Sequence, residues 1–281
     1  MVAQINKDIK KRLTILAGEG ILPKQLAKFA LEIGYQIQIL SFNEKINLGE
    51  YNFELVKLKN PLDIILKIRS FKTTHICMVG ALKVSDENRV GILKFFKMKK
   101  NKSVGDTNLS KVGKALEIST GAKLLGVHEI MPQILAKQGL IAGKKLNKSH
   151  QKDGLFALNS AHKAGELDLG QALICSGERI ISLEDIAGTD ELIHRVGKYK
   201  KSGLVGGTKE LLILAKVKKK NQPAYVDLPA IGPKTIITAK NAGLDAIFVQ
   251  AKNSILIDED KLKKLAEKHE ISVYGVNLNE E

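Results

Sequence analysis

The residues from Tyr225 to Thr235 read Tyr-Val-Asp-Leu-Pro-Ala-Ile-Gly-Pro-Lys-Thr, and within them Asp227 is the carboxylate best placed to do chemistry. It leaves a strand-like stretch just ahead of a helix that Pro233 opens, because Pro is favoured at the first helical position. A carboxylate at that point can hold a metal beside the free N–H groups of a helix start, where phosphate is attracted. The alternative is an Asp that only satisfies the backbone of a turn. Upstream, Glu184 and Asp190 bracket Gly188 and Thr189. Thr189 has the chemistry of a helix N-cap, and Asp190 with Glu191 would face the positive end of that helix, so this group has a structural reading beside a functional one. Lys216 ends an apolar run and precedes a basic loop, which makes it either a fixed positive charge for a phosphate or an ordinary exposed lysine.

Two glycine-rich stretches resemble phosphate loops. Gly18-Glu19-Gly20-Ile21-Leu22-Pro23 begins like a dinucleotide fingerprint, but Pro23 stands where the third glycine belongs. The following strand ends in Ser41-Phe42-Asn43, without the acidic residue that binds an adenine ribose. What survives is a generic anion site before a helix, or a plain tight turn. Gly203 to Glu210 places Thr208 before Lys209, the reverse of the order that a P-loop needs. The six histidines show no metal-ligand spacing. Cys77 and Cys175 lie far apart inside apolar runs and read as buried structural thiols.

These residues must be positioned by a chain of 281 residues with 44% hydrophobic and 27% charged side chains, enough for a sizeable core and for two domains. The net charge of +15 points to anionic partners, whether nucleic acid, acidic lipid or phosphorylated small molecules. Three basic clusters stand out: Lys94 to Lys102, Lys198 to Lys201 and Lys216 to Lys220. Each reads as a solvated face or loop, but the first interleaves Phe95, Phe96 and Met98 with lysines, which suits contact with an anionic lipid interface. No aromatic-basic RNA motif, zinc spacing or recognition helix supports nucleic acid as the partner. The apolar run Leu13 to Ala17 is too short for a secretion signal, and no stretch approaches the roughly 18 apolar residues of a membrane span. The expected place is the cytoplasm.

The pattern predicts strands at 13–17, 36–41, 55–58, 75–79 and 123–128, with helices at 23–33, 61–71 and 108–119, and this alternation implies a parallel sheet. The stretch 138–153 has several glycines and lysines and no apolar period, which marks a linker. The domains are therefore placed at 1–140 and 141–281. The second half reads as helix 154–164, strands 171–175 and 179–182, helix 190–196, strand 211–216, helix 233–241, strand 246–250, helix 259–269 and strand 272–276.

Five segments in order carry a resemblance to a known family: Ala17 to Pro23, Gly126 to Glu129, Leu167 to Gln171, Glu184 to Asp190 and Val226 to Pro233. The chain resembles the UDP-2,3-diacylglucosamine pyrophosphatases of lipid A biosynthesis, of the LpxI type, from about residue 13 to 276. The resemblance implies an α/β protein with an N-terminal Rossmann-like domain and a distinct C-terminal α/β domain. It also implies a Mg²⁺-dependent hydrolysis of UDP-2,3-diacylglucosamine to UMP and 2,3-diacylglucosamine 1-phosphate. The essential aspartate carries over onto Asp227, with Glu184 and Asp190 as further candidate metal ligands. Gln171 and Thr189 match positions expected to contact the sugar phosphate, and Gly18, Gly20, Leu22, Pro23, Gly80, Gly188 and Lys216 complete the candidate substrate-binding set. Glu19 and Tyr225 depart from the family's glycine and arginine, which makes the first loop less welcoming to an anion and leaves phosphate charge to neighbours such as Lys216. The partners implied are the acylated UDP-sugar, the anionic inner-membrane surface, held peripherally, and a second copy in a homodimer. A non-catalytic protein that clasps a nucleotide sugar or acidic lipid is the competing reading.

Overall fold

The computed structural model describes residues 11–82, 86–96, 106–167, 169–207, 209–219 and 228–278. They form two compact units, with the main boundary between Pro132 and Gln133. The first unit runs β1 (Arg12–Ala17), α1 (Leu22–Glu32), β2 (Gln36–Ser41), β3 (Glu54–Leu55), α2 (Pro61–Ser70), β4 (His75–Val79), α3 (Asp86–Phe95), α4 (Asp106–Thr120), β5 (Lys123–Leu125) and α5 (Val127–Ile130). Its five strands are all parallel in the order β3-β2-β1-β4-β5, a Rossmann-like half-sheet. Strands covered on both faces read as near-continuous apolar runs, and β1 is buried from Leu13 to Ala17, with Thr14 as the one polar residue in that span. Helix α1 lays Leu22, Leu26, Ala27 and Ala30 inward at helical spacing. Helix α2 is capped by Asn60, whose side chain accepts from the Asp63 amide, and buries Ile64, Ile65 and Ile68.

The second unit runs β6 (Gly139–Ala142), α6 (Lys148–Glu166), β7 (Ala172–Ser176), β8 (Arg179–Leu183), α7 (Thr189–Lys201), β9 (Leu212–Lys216), β10 (Ala230–Ile231), α8 (Pro233–Ala242), β11 (Ala246–Gln250), β12 (Ile255–Leu256), α9 (Glu259–Lys268) and β13 (Ser272–Val276). Its main sheet is mixed, in the order β6-β13-β11-β9-β7-β8. Strands β9, β11 and β13 are parallel, whereas β7 runs antiparallel to both β9 and β8, and β6 antiparallel to β13. Alternate strand residues feed two cores. Leu173, Cys175, Ile213 and Phe248 meet Ala157, Leu158 and Ala161 of α6. Ile174, Leu214, Ile247 and Val249 meet Leu192 and Ile193 of α7, Ile236 and Ala239 of α8 and Leu262 of α9. Each fully buried large aliphatic side chain contributes about 1.5–3 kcal/mol, so both sheet faces are secured.

Several expectations are corrected. The run expected as a linker holds strand β6 and the first turns of α6; Asn147 caps that helix by accepting from the His150 amide. The strand expected at 123–128 stops at Leu125, because Glu129 turns back to accept the Gly126 amide at 2.7 Å and starts α5. The third strand is Glu54–Leu55 rather than 55–58. Thr189 is not the cap of α7. Gly188 takes that place with φ +86°, a conformation that side chains resist, and Thr189 is the first helical residue. Cys77 and Cys175 are free and buried as expected. Burial pushes the Cys77 thiol far up, and it pushes Cys175 up to about 12.

Candidate active site

In the first unit the strand order reverses direction between β1 and β4, and ligands of open α/β sheets lie outside the carboxyl ends at such a point. Gly18 and Gly80 meet there. The Gly18 amide donates to Val79 O at 2.8 Å, the Glu19 amide to Ala81 O at 2.7 Å and the Ala81 amide to Glu19 O at 2.9 Å. A Cβ on Gly18 would stand 2.5 Å from Ala81 O, and one on Gly80 2.7 Å from Glu19 O. Both glycines therefore allow two backbone segments to touch, and the amides of Gly18 and Glu19 are committed to protein carbonyls. An anion here is left with the amides nearer the start of α1, which no side chain caps. Gly20, at φ +108°, borders open space. Leu22 and Pro23 turn their side chains into the core, so they can offer a ligand only backbone. The Asn43 amide group donates to the Glu19 carboxylate at 3.2 Å, tying the end of β2 to this loop.

The second unit gathers the other candidates along one edge of its sheet. Strand β9 ends there at Lys216, and because β7 is antiparallel to β9 its first residue, Ala172, is the register partner of Lys216. Strand β8, reversed again, ends at the same edge with Leu183, next to Glu184. Gln171, Glu184 and Lys216 are thus neighbours although the first and the last stand 45 positions apart in sequence. Lys216 is 6% exposed, and its Nζ donates to Ala230 O at 3.0 Å. An ammonium taken from water needs acceptors, and this one is on the Leu228-Pro229-Ala230 segment that directly follows Asp227 in sequence. Asp227 itself, with Tyr225 and Val226, lies outside the described residues, as do Asp168 and the stretch 97–105 of the first basic cluster.

Glu184 is held on both oxygens. The Thr189 hydroxyl donates to Oε1 at 2.5 Å and the Gln171 amide donates to Oε2 at 3.1 Å. The backbone reinforces this: the Glu184 amide donates to Ala172 O at 2.9 Å and the Val217 amide to Gln171 O at 3.0 Å. Gly170, at φ +121°, lets its loop pass so close that a Cβ would be 2.6 Å from Glu184 O. Gln171 Oε1 is buried without a hydrogen-bond partner. Asp190 instead faces Lys234, whose Nζ approaches Oδ2 at 2.6 Å and links the starts of α7 and α8. That bond raises the Lys234 pKa. Arg195, bonded to Asp185 at 2.6 Å, holds the Asp185 carboxyl below the usual carboxylate range.

The basic clusters are less uniformly solvated than expected. Lys200 donates to the carbonyl of Gly243 at the end of α8, and Tyr199 packs on the core. Lys216 and Val217 are buried. In the first cluster Phe96 packs on the core while Phe95 remains 40% exposed. Sequence reasoning passed over Gln250, which is 3% exposed at the end of β11 and accepts the Lys218 amide at 3.0 Å. Its signal was a lone polar residue closing the apolar run Ala246 to Val249. Lys234 was also missed; it directly follows the helix-opening Pro233.

A hard cation such as Mg²⁺ takes oxygen ligands, but the oxygens described at this edge are engaged: both Glu184 oxygens accept, from Thr189 and the Gln171 amide, and Ala230 O accepts from the Lys216 ammonium. Among the described residues no group of three or more His, Cys, Asp or Glu side chains forms a metal cage. Mg²⁺ is commonly held by one or two carboxylates with water and substrate phosphates.

The fold and these two strand-end regions define a two-unit α/β protein, with a Rossmann-like parallel sheet followed by a separate mixed-sheet unit. The chain belongs to the LpxI family: the LpxI N-terminal domain matches residues 12–134 and the LpxI C-terminal domain residues 137–274. A relative, the UDP-2,3-diacylglucosamine pyrophosphatase LpxI of Caulobacter vibrioides, is 27% identical over 281 residues, covering 96% of this chain and 99% of the relative. Among solved structures, the UDP-glucose 4-epimerase of Stenotrophomonas maltophila is 9% identical over 49% of this chain and 40% of its own, with a TM-score of 0.28. That of Thermus thermophilus is 13% identical over 92% and 85%, with a TM-score of 0.31. Such scores mark a loose likeness in backbone alone.

Proposed function

We propose that this protein is an enzyme that hydrolyses the pyrophosphate of UDP-2,3-diacylglucosamine, giving UMP and 2,3-diacylglucosamine 1-phosphate for lipid A biosynthesis. The observation that carries the reading is the buried Lys216 ammonium bonded to Ala230 O, at a strand edge that also gathers Gln171, Glu184 and Thr189. Cleaving a phosphoanhydride requires charge neutralisation and a positioned water rather than a covalent carrier. Lys216 supplies a fixed positive charge beside the segment that follows Asp227. The start of α7 and the start of α8, which carries Pro233 at its first turn, offer backbone N–H groups to phosphate oxygens. Asp227 is the carboxylate that would hold Mg²⁺ or orient the attacking water; both Glu184 oxygens and Oδ2 of Asp190 already have protein partners. When bound, Mg²⁺ supplies Lewis acidity toward the phosphate oxygens.

The enzyme works in the cytoplasm as a homodimer, held at the anionic inner-membrane surface by its positive charge. Among the described residues no helix is long and apolar enough to cross a membrane. The test is release of UMP from UDP-2,3-diacylglucosamine with Mg²⁺ or with EDTA, beside the Asp227→Asn variant. Metal-dependent turnover that is lost in the variant is expected. A folded Asp227→Asn protein with undiminished turnover removes Asp227 from the mechanism, and tight binding of intact substrate without turnover by the unaltered protein favours a binding protein. Sedimentation of the same preparation at the mass of one chain would exclude the homodimer.

A further inference from the structure

Glu184 stands where three separate pieces of the second unit come together, and its two oxygens account for their junction. It follows β8, it accepts the amide of Gln171 just before β7, and it accepts the hydroxyl of the first residue of α7. Both partners, Gln171 and Thr189, are candidate substrate contacts. A hydroxyl has one proton and two lone pairs, so a Thr189 that donates to Glu184 has only acceptor capacity for anything else. Bonds to an ionised carboxylate are shorter and about twice as strong as neutral ones, so this orientation is held rather than sampled.

We propose that Glu184 is a positioning residue: its carboxylate joins the start of β7 to the start of α7 and, by accepting the hydrogen bond of the Thr189 hydroxyl, makes that hydroxyl an acceptor toward the substrate. This rests on the reaction proposed above. Thr189 then accepts a hydrogen bond from a sugar hydroxyl or from a water, whereas phosphate oxygens, which need donors, are met by the backbone N–H groups of α7 and by Lys216. The role differs from metal ligation, in which a Glu184 oxygen would face a cation. The same bonds fix Gln171, whose carbonyl is anchored by the Val217 amide, the residue after Lys216. Glu184 therefore acts at one remove on the backbone that carries the ammonium.

The variants Glu184→Gln, Thr189→Val, Thr189→Ser and the double Glu184→Gln/Thr189→Val decide the matter. A glutamine has one acceptor oxygen where the carboxylate has two, so it cannot keep both bonds. Without substrate, NMR of the Gln171 amide proton in Glu184→Gln is expected to show an upfield shift and exchange faster by about tenfold, the effect of losing one charge-assisted bond. In turnover, Glu184→Gln and Thr189→Val should each lower kcat by about tenfold or more. The double variant should lose little beyond either single one, Thr189→Ser should restore activity, and the Mg²⁺ concentration for half-activation should stay as in the unaltered enzyme. Thr189→Val carries the test if Glu184→Gln fails to fold. A Thr189→Val enzyme with full kcat overturns the proposal, as does a Glu184→Gln enzyme whose half-activating Mg²⁺ rises severalfold while its Gln171 amide is unchanged. If the unaltered protein releases no UMP, the reaction proposed above fails, and the Gln171 amide still decides whether Glu184 holds this junction.

Discussion

At the scale of single residues, the most demanding feature is the ammonium of Lys216. A lysine on a buried strand end costs free energy unless its proton donors are used. Replacing it by Met, of similar length and apolar, removes the charge without opening a large cavity. The Lys216→Met protein should still fold, with a loss of about 1–3 kcal/mol in stability because Ala230 O loses a donor. Its kcat should fall by about two factors of ten, equivalent to about 2.7 kcal/mol of transition-state stabilisation. Steady-state kinetics beside a thermal melt separates the two quantities; undiminished kcat in a folded protein would show that the ammonium has only a structural part.

At the scale of elements, the close passage of the β1 and β4 exits makes a second claim. Gly18→Ala sets a methyl against the backbone of Ala81 and Gly80, neither of which can swing aside as a side chain can. A loss of about 1–3 kcal/mol in a denaturant titration is expected. Gly91, inside α3 with nothing within 4 Å of its Cβ position, is the matched comparison: Gly91→Ala should leave stability unchanged or raise it by up to about 1 kcal/mol. Elements of this kind were largely readable from the chain. β2, β4, β11 and β13 have the bounds expected of them, and the last three are largely buried runs, since strands covered on both faces announce themselves. Missed were α3, whose Asp-Glu-Asn-Arg opening blurs any apolar face, and the lysine-rich first turns of α6. The short β6 borrows its pairing from β13, more than 100 residues away, and no local pattern carries that. The candidate site followed the same division. Lys216, Gln171, Glu184 and Thr189 were visible as residue types, but the burial of Lys216 and both bonds of Glu184 depend on the reversal of β7 between β8 and β9, a long-range property.

At the scale of the whole molecule, a net charge of +15 acts on anything negatively charged within reach. Co-sedimentation with vesicles containing anionic phosphatidylglycerol is expected at an ionic strength of about 0.05 M and should weaken strongly at about 0.5 M, where the screening length is only about 4 Å. Binding that is indifferent to salt would exclude charge as the tether. The two thiols lead to a different kind of consequence. The chain has two cysteines, each sealed inside a strand with its ionisation suppressed, Cys77 in the first unit and Cys175 in the second. A maleimide dye should therefore ignore the native protein and react fully only in guanidinium. The turn of the β7–β8 hairpin holds the exposed Glu178 at the end of those strands away from Gln171 and Glu184. Glu178→Cys would then give a spectroscopic reporter a single address, with both natural cysteines left in place.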